Sequence, residues 1–332
     1  MPIRSNRNLT EYYDRFSYSG AGGPEPFVKH GSGSGNADAW GTRGLIALGG
    51  APGASNVVEY VTIANAANAQ DFGDLTSARR WGAATSSGSA GRSIFAGGIG
   101  DHGQIDYVSV ASATNCSDFG TLVEPSREFA GVSNGTRGVF AGAYAEDASS
   151  FNVIQYITIA STGNSTDFGD LAAAWWTANG AHNGERAVYW GGYQNTTQID
   201  TFAIATTANA TDWGDMLYSA YAPAGGSGDA NGRGIWWGGV SPNFGGTEMN
   251  NISSFDFDST GSCTDFGDMI AAKFFATANN NDTRAVQCGG RTPSDSNVME
   301  YVTIQTSGNS TDFGDLGTAC SGCFAGNSAG DP

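Results

Sequence analysis

Six short turns in this chain carry paired carboxylates. The motif Asp-Phe-Gly-Asp and its variants begin at Asp71, Asp118, Asp167, Asp212, Asp265 and Asp312, and eleven of the twelve acidic slots are filled, with Thr121 in the twelfth. A hard cation such as calcium needs several oxygen ligands converging on one point. Two carboxylates per turn, spaced 45 to 53 residues from the next pair, do not supply that. Asp before Gly more commonly accepts N–H groups of its own turn, and that is the reading adopted. An arginine recurs at the same period: Arg43, Arg92, Arg137, Arg186, Arg233 and Arg284. Pairing with an acidic or carbonyl group of a neighbouring strand accounts for it. A functional ring of arginines would require all six to face one channel or surface. The three histidines, His30, His102 and His182, lie in different contexts, and no HExxH, no P-loop and no strand-to-helix GxSxG elbow appears. No catalytic residue, metal ligand or cofactor is therefore expected. Of five cysteines, Cys320 and Cys323 have CxxC spacing without a second pair. The five read as buried small side chains, a poor disulfide framework and a poorer zinc site.

A binding chemistry has more to work with. Residues 175 to 244 hold Trp175, Trp176, Tyr189, Trp190, Tyr193, Trp213, Tyr218, Tyr221, Trp236, Trp237 and Phe244. Exposed rings could stack on sugars, with Trp176, Tyr193 and Phe244 the candidates for a glycan or receptor site. The competing reading is packing inside the fold. The segment 240–253 is the longest of the variable connections and is the next candidate, because binding specificity usually resides in loops on a rigid scaffold. At the other end, Tyr12, Tyr13, Phe16 and Tyr18 bunch within a glycine-broken stretch. Residues 1–29 hold four basic and three acidic side chains, whereas the rest of the chain holds 11 and 29. Disordered tails are usually poor in aromatics, so residues 1–41 read as a docking arm rather than a solvated tail.

The elements that position these residues follow from the repeat. The motif Asp residues step by 47, 49, 45, 53 and 47, and double glycines follow five of the six arginines, defining six units of about 48 residues. In each unit an apolar run follows the arginine (GLIALGG, SIFAGG, AVYWGG). An alternating segment comes next (EYVTIA, DYVSVA, QYITIA), then the motif, then a fourth small-residue run. Period-two alternation marks strands with one face buried. The spacing from the start of the alternating segment (Tyr60, Tyr107, Tyr156, Thr201, Ser254, Tyr301) to the motif Asp is 11 residues in all six units. The Asn-Gly pairs 134–135, 183–184 and 231–232 predict tight hairpins with positive φ at both central residues. They join the fourth strand of one unit to the first of the next. That offset leaves residues 319–330 to complete the first blade. The prediction is an all-β protein: a six-bladed β-propeller over 42–332, closed by its C-terminal strand, with an N-terminal arm over 1–41. The motif aromatics Phe72, Phe119, Phe168, Trp213, Phe266 and Phe313 should pack between blades.

The double glycine, the strand aromatic, the later large aromatic and segments such as SARR (Arg79, Arg80) and PSR (Arg127) resemble kelch repeats. The resemblance covers nearly 290 residues. It departs at Thr201 and Ser254, where the strand tyrosine is lost, and in using Phe rather than Trp except at Trp213. STDFG at 165–169 and 310–314 is similar to the Asp box of sialidase-type propellers, which implies a structural hairpin. The copper site of galactose-oxidase-like kelch enzymes has no matching constellation here. The glycine-rich, lysine-poor style resembles kelch-like arrays in structural proteins of tailed bacteriophages. It implies a non-enzymatic virion component of tail or appendage, with capsid decoration as a sub-option and a carbohydrate-binding adhesin as the alternative. Its partners would be other virion proteins through the arm, and a host-surface glycan. A net charge of −17 argues against nucleic acid as a partner. No apolar run approaches the ~20 residues of a membrane span. The start lacks an apolar signal core, so no signal peptide is expected and assembly in a host cytoplasm is.

Overall fold

The computed structural model describes residues 43–49, 53–87, 91–145, 150–175, 177–192, 197–223, 225–228, 232–241 and 247–326. Among them there is no helix. The strands form six blades in a propeller, with four strands from the centre outward in each. Blade 1 is Phe324–Gly326, Arg43–Ala47, Ser55–Thr62 and Gln70–Arg79. Blade 2 is Ala83–Ser86, Arg92–Ala96, Gln104–Ser109 and Ser117–Thr121. Blade 3 is Ala130–Ser133, Arg137–Ala141, Val153–Thr158 and Thr166–Asp170. Blade 4 is Ala178–His182, Arg186–Gly191, Gln198–Ala203 and Thr211–Asp215. Blade 5 is Gly226–Gly228, Arg233–Ser241, Thr247–Asp256 and Thr264–Asp268. Blade 6 is Thr277–Asn280, Arg284–Cys288, Ser294–Thr303 and Thr311–Cys320. Each innermost strand touches those of the blades before and after it, around the full circle.

The ring closes through the C-terminal strand: Leu45, Ile46 and Ala47 pair antiparallel with Gly326, Ala325 and Phe324. This strand is shorter than the expected 319–330, because residues 319 and 320 extend the outer strand of blade 6. The core lies in the seams. Leu45, Val58 and Phe72 of blade 1 pack with Phe95 and Val108 of blade 2, and five equivalent clusters fill the other seams. Every blade is therefore apolar on both faces, most fully along its second strand, which is buried almost without interruption.

Three local features differ from expectation. The hairpins have positive φ at Gly135 and Gly184 but not at the preceding asparagines. Asn134 instead opens the turn, its N–H reaching Arg137 O at 3.2 Å while its Oδ1 accepts from Thr136 and Arg137. Side-chain capping thus replaces the second left-handed residue. The motif Asp residues are exposed, and self-turn bonding is seen at Asp212, which accepts from Gly214 N at 3.0 Å. Cys320 and Cys323 form a disulfide, with Cα atoms 6.2 Å apart across a two-residue turn.

Candidate functional site

The recurrent polar residues meet at the seams. Arg43, Arg92, Arg137, Arg233 and Arg284 each donate to a carbonyl in the next blade: Val110, Ile159, Ile204, Ile304 and Ile63, at 3.1 to 3.3 Å. Where the unit keeps its tyrosine, the guanidinium also lies over that ring. Distances to the centroid are 5.0, 4.4, 4.3 and 4.0 Å for Tyr60, Tyr107, Tyr156 and Tyr301. Stacking orients the planar donor while the carbonyl receives it.

The Asp-Phe-Gly-Asp turn is a second link. A β-bulge sits there in all six blades, opposite the register shifts of the third strand. The extra residue is the aromatic, which the bulge turns into the seam. All six aromatics are 2–3% exposed. The glycine is required twice over: Gly73 has φ 143°, and a Cβ there would lie 2.4 Å from Thr114 O of the next blade. The second motif position donates its N–H to an asparagine of that blade, as in Asp74 to Asn115, Asp170 to Asn209 and Asp268 to Asn309. Asp315 donates to Asn68 in the same way across the closing seam. Blade 4 departs from the pattern, pairing Gly214 and Asp215 in parallel with Gly261 and Ser262.

Third, in blades 1, 2, 3, 4 and 6 a buried residue on the third strand binds the blade before it. Asp106 accepts from Thr76 N, Asp200 from Ala172 N, Glu300 from Ile270 N and Glu59 from Gly317 N, at 2.7 to 3.0 Å. Eight residues after the motif Asp, three of the six units supply a side chain that meets this residue. Arg79 pairs with Asp106 at 2.6 Å and Lys273 with Glu300 at 2.7 Å, both pairs essentially buried. Ser126 meets Gln155 at 3.4 Å. Glu59 and Asp200 have no cation in these slots, which hold Cys320 and Trp175, and burial raises both carboxyl pKa values.

The outer-to-inner connections gather at one end of the channel. Trp81, Glu128, Thr177, Ala222 and Phe275 all have left-handed backbones, φ 48° to 59°, and Gly322 completes the set at 69°. Five non-glycine residues in this region mark an over-determined site. They are held by a rosette of hydrogen bonds. Trp81 N donates to Gly322 O, Glu128 N to Trp81 O, Thr177 N to Glu128 O, Phe275 N to Ala222 O and Gly322 N to Phe275 O, at 2.7 to 3.1 Å. Ala222 N closes the circle on Thr177 Oγ1 at 3.2 Å. Around this mouth the Trp81 and Phe275 rings stand 5.8 Å apart, Arg80 covers Trp81 at 4.5 Å, and Arg127 pairs with Glu128 at 2.8 Å. Burial raises the Glu128 pKa against the pull of Arg127. Beneath lies a cavity of about 90 Å³ walled by Ala84, Gly131, Asn179, Gly226, Ala278 and Ala325. That is room for a few waters.

Of the residues singled out for binding, Trp176, Tyr193 and Phe244 lie outside the described residues, as do Tyr12, Tyr13, Phe16 and Tyr18. Trp175, Tyr189, Trp190, Trp213, Trp236 and Trp237 are core, 0–3% exposed. Tyr218, at 38% exposed, stays at the surface. Burial drives the His182 pKa down to about 4 and pushes the thiols of Cys116, Cys263 and Cys288 up to about 12, which leaves the imidazole neutral and the thiols protonated at pH 7. Among the described residues no three His, Cys, Asp or Glu side chains converge as a metal site would require. Sequence reasoning missed the rosette and the buried acids. The acids had a signal, since Glu59, Asp106 and Glu300 each precede the strand tyrosine, the place that Gln155 takes in unit three. The rosette had none, because its six residues share a backbone conformation and no side-chain type. No family model matches the chain, and no curated protein matches it.

Proposed function

We propose that this protein is a non-enzymatic structural and attachment component, a rigid kelch-like ring carried into a larger assembly by residues 1–41. The observation that supports the reading is how the repeat's signature residues are used. The arginines, motif glycines and buried acids hold blade to blade, so the repeat conserves a scaffold and leaves its loop faces to present contacts. The strongly acidic ring resists self-association through like charge. An arm close to neutral, with Tyr12, Tyr13, Phe16 and Tyr18 as apolar anchors, can cross to a partner. The particle of a tailed bacteriophage, in its tail or an appendage, is the setting this reading takes. It rests on the glycine-rich, lysine-poor style of the repeat. The test is the copy number of the protein in purified particles, with and without residues 1–30. A fixed stoichiometry that the deletion abolishes supports the reading, and absence from particles refutes it. A carbohydrate-binding ring is the second reading, favoured by a groove at the fifth blade.

A further inference from the structure

Blades 4 and 5 both lose the arginine–tyrosine stack, at Thr201 and Ser254, and at blade 5 a groove of about 510 Å³ opens, within the range of small-ligand sites. In four units the strand tyrosine lies under the recurrent arginine. In unit five that position is Ser254, and the aromatic bulk moves one residue along to Phe255. Successive strand residues face opposite sides. Phe255 therefore fills the seam with blade 4, its ring 5.4 Å from Trp213 and 5.6 Å from Trp190. A Cβ on Gly234 would lie 2.1 Å from this ring, so the glycine admits the swap. The side that tyrosine vacates is left to Arg233, whose guanidinium sits 5.4 Å from the Phe266 centroid and donates to Ile304 O.

The wall of this groove is rich in hydroxyls. Ser254, Ser259, Thr260, Ser262 and Thr264 line it together with Arg233, Asp256 and Gln305. Ser254 Oγ and Thr264 Oγ1 lie 3.3 Å apart at its base. We propose that this groove binds a neutral saccharide of one or two rings. A polyol both donates and accepts at every hydroxyl, and the groove supplies a donor in Arg233, an acceptor in Asp256, and both in Gln305 and the hydroxyl side chains. An anionic ligand is disfavoured. Asp256 lines the groove, Asp258 adjoins it through an N–H bond to Asp256 Oδ1, and the chain carries a net −17. This sharpens the second reading above by giving a place and a ligand class, and it is independent of the assembly reading.

The test is saturation-transfer NMR on the full-length chain with glucose, galactose, mannose and N-acetylglucosamine, and with sialic acid as the anionic comparison. Particle incorporation is measured in parallel, so that failure here stays distinct from failure of the assembly reading. Ser254→Tyr restores the ring that four other units place under the arginine and adds its bulk to the groove. The expected result is binding of at least one neutral sugar by the wild type and at least a tenfold loss in Ser254→Tyr, with an undiminished melting temperature. Should that variant fail to fold, the exposed pair Thr260→Val with Gln305→Ala removes sugar contacts without touching the strand, and the same loss is expected. No response to any neutral sugar, a response to sialic acid alone, or binding unchanged in a folded variant overturns the proposal.

Discussion

Phe168 shows what one side chain does in a seam. It is 3% exposed, lies 5.0 Å from Phe202 of the next blade and 5.9 Å from Tyr156 of its own. Its bulged backbone leaves little room for collapse around a truncated side chain. Phe168→Ala should cost about 3–5 kcal/mol, read from denaturant unfolding. A loss below 1 kcal/mol would mean the ring is not held by this contact. Glu59 gives a prediction in pH. Burial raises its carboxyl above the ordinary 4.5, Gly317 N–H pulls it back, and Asp71 adds to the rise. The folded chain holds this proton more tightly than the unfolded one, so Glu59's contribution to stability is most favourable at low pH. It declines as pH climbs from about 4.5 through the raised value. Glu59→Gln keeps an oxygen for Gly317 N–H and removes the slope, and unit three already carries Gln155 at this position. The variant should melt above the wild type at pH 7, with the gap closing towards pH 4. A gap that does not narrow on acidification contradicts the assignment.

The closing strand Phe324–Gly326 is short, yet three other links cross the same seam: Arg284 to Ile63 O, Asp315 N to Asn68 and Gly317 N to Glu59. Deleting residues 321–332 removes the strand, the Cys320–Cys323 bridge and Gly322 from the rosette together. The truncated ring should lose several degrees of melting temperature and expose the edge of Arg43–Ala47 to aggregation. An unchanged melt and a monodisperse profile in size-exclusion chromatography would show that the other three links suffice. Strand order, unit count and closure were legible because each had a periodic signal: the arginine, the alternating segment and the motif at a constant spacing. The motif's role was legible only in part. Its aromatic read as core, but Gly73 is fixed by Thr114 O of another blade, and no local pattern reveals a contact 41 residues away. The aromatics of blades 4 and 5 were ambiguous for a related reason. Trp190 and Trp236 alternate with residues that are also buried, so periodicity could not separate core from surface.

At the scale of the whole molecule, the blade-to-blade links described above all run within residues 43–326. If residues 1–30 serve partners, as proposed, removing them should leave circular dichroism and melting temperature within about 1 °C of the full chain, because a segment that adds nothing to a packed core contributes little to stability. A large drop in melting temperature would mean that the arm completes the fold rather than serving partners. The same ring has two distinct faces. The arginine carbonyl links and inner hairpins lie at one, the rosette and outer-to-inner connections at the other, and the exposed apolar residues Val123, Leu217 and Ile270 follow the motif on the way to the rosette.

The antiparallel closure also decides how the molecule bears load. Leu45 lies opposite Gly326 and Ala47 opposite Phe324, so the chain enters this pair and leaves it at the same end. Tension applied between residues 43 and 326 would peel that pair one hydrogen bond after another, as a zip opens, at low force. Tension entering through residue 43 alone, with the body of the ring anchored, drags Arg43–Ala47 lengthwise between two neighbours and strains both rows of bonds at once. A ring tethered by its N-terminal side is thus mechanically strong, and one stretched between its two ends is weak.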